Sequence, residues 1–315
     1  MTAGAALPRP FLISTRSVDV TNAIGFIGLG VMGEPICRNL ARKSGSSVVG
    51  FDRADAPLQR LAESGVTRAE SLADLAKQCD VIFMALPSGK HVEAVCDGQD
   101  GLLAHAEARH TIVDLGTSAV EPTRALAKRF AEKGASYADA PIARTRQAAE
   151  EGTLSVMVGA DDAVFTKLQP LISTFATDIT HCGAVGAGQV VKILNNMVLM
   201  QTVVALAEAL ETAKRAGLDG RLVFETLAKG SADSFALRNH GMKAMLPDTF
   251  PERAFSTQYA RKDISYALDL AQSVDIRLAG AELADRLLGE ATDAGFGDLY
   301  WPVLARIVKA SHSGD

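Results

Sequence analysis

The run Ile24-Gly-Phe-Ile-Gly-Leu-Gly-Val-Met-Gly33 constrains this chain more than any other. It sets Gly28-x-Gly30-x-x-Gly33 between a β-rich stretch and a helical one, the context in which such a motif reads as a dinucleotide fingerprint. Gly28 permits a tight turn, Gly30 lets a pyrophosphate approach the backbone, and Gly33 lets helix and strand pack closely while the helix N-terminus faces the phosphate charge. Leu29, Val31 and Met32, between the glycines, belong to the same cofactor-binding turn. Asp52 ends the next β-rich run, 19 positions beyond Gly33, where a carboxylate accepts hydrogen bonds from ribose hydroxyls. This favours NAD. The adjacent Arg53 is able to neutralise a 2′-phosphate, so NADP stays open, and a strand-end turn is the plainer reading of Asp52.

A length of 315 residues suggests two units. From Ala23 to about Cys182, the β-rich runs IGFIGLG, SVVGFD, DVIFMALP, TIVDLG, SYADAP, SVMVGA and DITHCG alternate with helical segments. That alternation predicts a mostly parallel sheet flanked by helices. Beyond Gly188 the apolar spacing of three and four predicts helices only, over residues 190–216, 220–229, 235–246, 256–273, 279–293 and 301–310. The glycine-rich stretch 181–188 reads as a hinge. The expected organisation is a flexible tail over 1–22, an α/β Rossmann domain that binds NAD(P) over 23–185, and an all-α domain for substrate and oligomerisation over 186–315, beginning with a long helix.

The net charge of −5 and the lack of any long basic run argue against nucleic acid as a partner. Apolar stretches such as 197–210, interrupted by Gln201 and Glu208, fall short of the roughly 20 residues needed to cross a membrane. Cys37, Cys79, Cys96 and Cys182 form no close pair, and residues 1–22 lack a secretory apolar segment, so a reducing cytoplasm is expected. The six histidines have no metal-ligand spacing and no metal is expected. A Gly-x-Ser-x-Gly elbow is absent, which lowers the case for a serine hydrolase.

Five ordered segments carry a wider resemblance: IGFIGLGVMG, MALPSGKHV (84–92), DAPIARTRQAAEEGTLSVMVG (139–159), GQVVKILNN (188–196) and ARKDISYAL (260–268). Together, from about Ile24 to about Lys309, the chain resembles the β-hydroxyacid dehydrogenases. The resemblance implies a 6-phosphogluconate dehydrogenase-like architecture and an NAD(P)-dependent oxidoreductase. Such an enzyme interconverts a short 3-hydroxy acid and its aldehyde acid, with 2-hydroxy-3-oxopropionate, 3-hydroxyisobutyrate or sulfolactaldehyde as the kind of substrate. It further implies that Leu86-Pro87 passes the nicotinamide ribose, that Thr117 contacts the cofactor, that Lys192 is catalytic, that Asn196 binds substrate, and that Lys262 reaches back to the cleft. Two segments depart from the family pattern. Asp114-Leu-Gly-Thr117 carries Gly116 where a hydroxyl is usual, and Ala143-Arg144-Thr145 stands where many relatives carry Ser-Gly-Gly.

The implied chemistry suits these side chains. Reduction of a carbonyl leaves negative charge on oxygen, so a proton donor within hydrogen-bond reach is required. Lys192 and Asn196 are four residues apart on one helical face. In the oxidative direction a neutral Lys192 is needed, and burial or nearby cations supply the lowered pKa. Arg144 offers a planar fork for a carboxylate, sulfonate or phosphate, with Thr145 adding a hydroxyl. The plainer readings are a solvated Lys192 near a helix start, a solvent-facing Arg144, and Lys262 in a surface ion pair with Asp263. Rival functions are an imine reductase, a decarboxylating 6-phosphogluconate-type dehydrogenase, and a non-catalytic dinucleotide sensor or partner-binding module. The retained Lys192 and Asn196 speak against the last. A homo-oligomer is expected, because apolar helical halves commonly pair about a two-fold axis.

Overall fold

The computed structural model describes residues 23–252 and 254–310; the tail expected over 1–22 lies outside them. The strands of the first unit are β1 (Ala23–Ile27), β2 (Val48–Phe51), β3 (Val66–Arg68), β4 (Cys79–Met84), β5 (Thr111–Asp114), β6 (Ser136–Asp139), β7 (Ile142–Ala143), β8 (Leu154–Gly159) and β9 (Ala176–Gly183). They form one sheet in the order β3-β2-β1-β4-β5-β6-β8-β7, with β9 on β8. All pairings are parallel except β6 with β8 and β7 with β8.

The sheet is buried on both faces, as its near-continuous apolar strands require. Ile24, Phe26, Val81, Phe83 and Val113 fill one core cluster, while Ile27, Ile82, Met84 and Ile112 fill another. That division follows the two-residue period of a strand. Flanking helices are α1 (Gly33–Lys43), α2 (Asp55–Ala62), α3 (Leu72–Gln78), α4 (Gly89–Cys96), α5 (Val120–Ala131), α6 (Arg146–Glu151) and α7 (Asp162–Ile172). Two short strands were not legible in the sequence: β3 has three residues and β7 two, too few to display an alternation.

The second unit opens with α8 (Ala187–Arg215), followed by α9 (Gly220–Leu227), wide i→i+5 turns over Leu237–Met245, α10 (Thr257–Ser273), α11 (Ala279–Ala291) and α12 (Leu304–Ala310). Its core gathers Met200, Phe224, Ile264, Leu288 and Trp301. Two findings modify the sequence-based expectations. Isolated antiparallel bridges join Glu252 to Leu299 and Ser256 to Tyr300, so the half is not purely helical. In addition, α8 is 29 residues long with a mean hydropathy of 1.6 in its most apolar window, enough by length and composition to cross a membrane. Its packing against β8, β9, α10, α11 and α12 makes it instead the central helix of the fold.

Candidate active site

The strand order reverses direction between β1 and β4, and in a doubly wound sheet the crevice beyond the carboxyl ends at that point receives ligands. Registers align Ile27 with Met84, Met84 with Asp114, and Asp114 with Asp139. The residues that follow these four, beginning at Gly28, Ala85, Leu115 and Ala140, therefore rise along a single edge.

The fingerprint turn fits a dinucleotide. Gly28 has φ +87°, and a Cβ there would lie 2.5 Å from the Ala85 carbonyl oxygen. A Cβ on Gly33 would lie 1.9 Å from the Gly28 carbonyl oxygen, whereas one on Gly30 meets nothing within 4 Å. The turn is thus closed beneath and open at Gly30, the side from which a pyrophosphate would approach. Met32 precedes α1 without a side-chain cap, leaving that helix N-terminus available to an anion. Val31 is exposed and Leu29 is buried. The Asp52 carboxylate accepts the N–H groups of Leu29 and Ala54. It fixes the end of β2 to the glycine turn, and each oxygen retains a lone pair. Arg53 beside it is exposed.

Asp114 and Asp139, adjacent at the carboxyl ends of β5 and β6, are both fully buried. The Asp114 carboxylate accepts the Gly116 N–H at 2.8 Å and the Ser118 hydroxyl at 2.9 Å. That of Asp139 accepts the N–H groups of Gly186 at 2.6 Å and Gln189 at 2.7 Å, capping α8 from a distant strand. Burial pushes Asp114 up to about 7, opposed by its two donors and reinforced by the like charge of Asp139; burial likewise pushes Asp139 up to about 6. A carboxyl whose folded pKa is raised contributes stability in full below its unfolded pKa and loses it as pH rises through the folded value. Asp114→Asn is therefore expected to gain on the wild type, by a few kcal/mol at about one pKa unit per 1.4 kcal/mol, between about pH 4 and about pH 8. Urea unfolding of both proteins at the two ends of that window measures it. A constant difference would remove the charge argument.

Lys192 and Asn196 both point inward from α8, 9% and 4% exposed. Burial pushes the Lys192 ammonium pKa down; the nearby Asp263 carboxylate opposes this and Lys262 adds to it. The Asn196 amide donates to Asp263 at 2.7 Å and its oxygen accepts from Asn195 at 3.1 Å, so its orientation is set. Lys262, on α10, lies 2.9 Å from the Asp263 carboxylate as an ion pair. The carboxylate oxygen in that pair, Oδ1, is buried with no directed hydrogen bond. The Lys262 ammonium also donates at 3.3 Å to the Pro87 and Thr117 carbonyls and sits 4.2 Å from the Tyr259 ring centroid. It thereby joins the helical unit to the two loops singled out as passing the cofactor. Leu86 packs among the apolar residues under that edge, and Thr117 is buried. Asp263, named from sequence only as a neighbour in an ion pair, is the residue that links Lys262, Asn196 and Lys192. Its signal was an acidic residue at a core-facing position of a helix.

The expectation that Arg144 offers a free fork to a substrate is corrected, while Thr145 keeps only its O–H to donate. The Arg144 guanidinium donates to the Thr153 carbonyl, to Thr177 Oγ1 at 3.1 Å and to the Asp178 carboxylate at 2.7 Å. The Thr145 hydroxyl accepts the Ala148 N–H as the cap of α6. Both residues are exposed, but the Arg144 fork is already bonded to its own chain and the Thr145 oxygen is spent on the cap, and Ala143 is paired to Ser155 in the sheet. Arg144 also has φ 86°, the left-handed backbone that suits the glycine many relatives carry there.

Comparison with known proteins decides the family. Residues 23–183 match the model described as the NAD binding domain of 6-phosphogluconate dehydrogenase. Residues 186–300 match that described as NAD-binding of NADP-dependent 3-hydroxyisobutyrate dehydrogenase. The chain is a β-hydroxyacid dehydrogenase. Among its relatives, 2-(hydroxymethyl)glutarate dehydrogenase of Eubacterium barkeri is 36% identical over 87% of this chain and 90% of its own length. The 2-hydroxy-3-oxopropionate reductase of Escherichia coli is 33% identical over 91% and 97%. The solved 3-hydroxyisobutyrate dehydrogenase of Mycobacterium tuberculosis, with L-serine, superposes at a TM-score of 0.82 with 28% identity, over 92% of this chain and 99% of that one. Imine reductase from Myxococcus stipitatus shares the fold alone, at 17% identity and a TM-score of 0.63. This β-hydroxyacid dehydrogenase is thus an NAD(P)-dependent oxidoreductase acting on CH–OH groups, and the reading as a non-catalytic sensor falls.

Proposed function

We propose that this enzyme interconverts a short 3-hydroxy acid and its aldehyde acid, with Lys192 as general acid and base and NAD preferred to NADP. The observation that carries the reading is a buried ammonium on α8, one turn from a buried amide whose orientation is set by Asp263. The nicotinamide, when bound, supplies or accepts the hydride. Lys192 gives its proton to the oxygen as the carbonyl is reduced, and in its neutral form takes it back as the alcohol is oxidised. Asn196 directs one N–H to Asp263 and keeps another for the substrate. Lys262, held by Asp263 and two carbonyls, keeps the cofactor-side loops against α10. The relatives named for 2-hydroxy-3-oxopropionate, 2-(hydroxymethyl)glutarate and 3-hydroxyisobutyrate support acids of this size as substrates.

The preference for NAD rests on Asp52, whose carboxylate would stand against a 2′-phosphate. Reduction assays with 2-hydroxy-3-oxopropionate, methylmalonate semialdehyde and sulfolactaldehyde, each with NADH and NADPH, test both parts. NADH is expected to be the better donor, and Asp52→Asn is expected to narrow the gap between donors about tenfold, the loss of about 1.4 kcal/mol of charge repulsion. Turnover of none of these acids, or an Asp52→Asn protein with an unchanged donor ratio, would count against the corresponding part.

A second copy of the chain is proposed to cover one face of α8. Val191, Leu194 and Val198 are all exposed there, at helical spacing. A monomeric mass by light scattering at micromolar concentration would remove that assignment.

A further inference from the structure

Gln189 lies in the first turn of α8 and is fully buried. Its amide oxygen accepts the Ser118 N–H at 3.0 Å, and its amide nitrogen donates to the Gly116 carbonyl at 2.9 Å. Its own backbone N–H is spent on Asp139. A carboxamide is the one uncharged side-chain group of this length that accepts and donates side by side. Here it pairs with a backbone N–H and C=O two residues apart, much as a neighbouring strand would. The loop so held is 116–118, whose middle residue gives its carbonyl to Lys262 from the other side.

The loop that follows β5 is therefore gripped between α8 and α10, and on α8 the grip comes three residues before Lys192. At about 1.5 Å rise per residue that is less than one turn, too short a span for the helix to bend. A substrate carbon must meet both the nicotinamide and the proton donor, so the spacing between this loop and Lys192 enters the reaction directly.

We propose that Gln189 is a positioning residue, setting the distance between the cofactor-side loop 116–118 and Lys192. The inference rests on the reading of Lys192 as proton donor, and the experiment separates the two. Gln189→Leu, Gln189→Glu and Lys192→Ala are compared with the wild type in turnover, in NADH binding followed by fluorescence, and in hydrogen exchange of the peptide containing Ser118.

Gln189→Leu is expected to lower kcat by about 10- to 100-fold, the scale of a misplacement of reacting groups. Its NADH affinity should stay within about threefold, below the tenfold that 1.4 kcal/mol represents, and exchange at Ser118 should quicken. Gln189→Glu supplies the rescue. Protonated, its carboxyl accepts from Ser118 and donates to Gly116 as the amide does; ionised, it can only accept. Its kcat relative to wild type is therefore expected to climb as pH falls from about 9 to about 6, a window that reaches a buried carboxyl raised by desolvation. The charged groups facing position 189 are Asp139 on β6, Asp114 on β5, Arg124 on α5 beside Gly186, Lys262 on α10 and Lys192 on its own helix. All are shared with the wild type, so the ratio reports the carboxyl added at 189 together with its like-charge coupling to Asp114 and Asp139.

Wild-type kcat in Gln189→Leu, unchanged exchange at Ser118, or a flat pH ratio in Gln189→Glu overturns the proposal. Should Gln189→Leu fail to fold, the pH ratio of Gln189→Glu decides. A Lys192→Ala protein at full rate beside an impaired Gln189→Leu would sink the Lys192 reading, and with it Lys192 as the group whose distance Gln189 sets. An impaired Lys192→Ala beside a Gln189→Leu at full rate would sink the Gln189 proposal and leave the Lys192 reading intact.

Discussion

Lys192→Ala is expected to lower kcat by about 10²- to 10⁴-fold, the range by which a positioned acid or base accelerates proton transfer, while NADH binds as before. Lys192 stands on α8, whereas the fingerprint turn follows β1 and Asp52 follows β2, so cofactor affinity has no reason to follow. The same residue should govern the pH profile of alcohol oxidation. Oxidation needs the neutral amine, and burial has moved the Lys192 pKa down from 10.5; kcat/KM for the hydroxy acid should therefore rise with pH through a value below 10.5 and level off. In the alanine variant that limb should vanish. Lys192→Arg keeps the charge but cannot shed its proton near neutrality, and is expected to fail in oxidation as badly as alanine. Steady-state rates over pH in both directions measure all of this, and an alanine variant with the wild-type profile would return Lys192 to a structural role.

Gly33→Ala and Gly30→Ala should both lose cofactor binding, but only the first at the cost of stability. The added methyl at position 33 lands 1.9 Å from the Gly28 carbonyl, where backbone and not a pliable side chain must move. Overpacking of this kind costs about 1–3 kcal/mol or more, so a lowered melting temperature is expected together with lost cofactor binding. At position 30 the methyl meets no protein atom within 4 Å. The melting temperature should hold, while NADH binding weakens by about tenfold or more, as 1.4 kcal/mol of lost contact would give. Thermal melts with and without NADH distinguish the two. A Gly30→Ala protein that binds NADH normally would mean that the pyrophosphate does not approach at Gly30.

The Rossmann half was readable because parallel strands buried on both faces leave unbroken apolar runs, and because the glycine turn has a fixed grammar. β3 and β7 escaped for want of length. The inward placing of Lys192 was legible because an ammonium is rare among neighbours such as Val190, Val191, Ile193 and Leu194. The site was misread where a residue's chemistry suits many partners. Arg144 looked like an anion fork, yet beside Thr153 its partners Thr177 and Asp178 lie 33 and 34 residues on, brought near only by the folded sheet. Asp139 and Gln189 were quoted within motifs but given no task, since capping a helix from 47 to 50 residues away leaves no local pattern.

The stretch 181–188, glycine-rich and placed between the two units, has the look of a swivel. The carboxylate of Asp139 gathers the amides at its far end, and Gly188, where a Cβ would lie 2.8 Å from Asp139 Oδ2, leaves room for that contact. The chain divides there in order but not in energy. A fragment cut after residue 185 would take from the Asp139 carboxylate the Gly186 and Gln189 amides that hold it, so the nucleotide-binding half owes part of its integrity to a helix encoded after it.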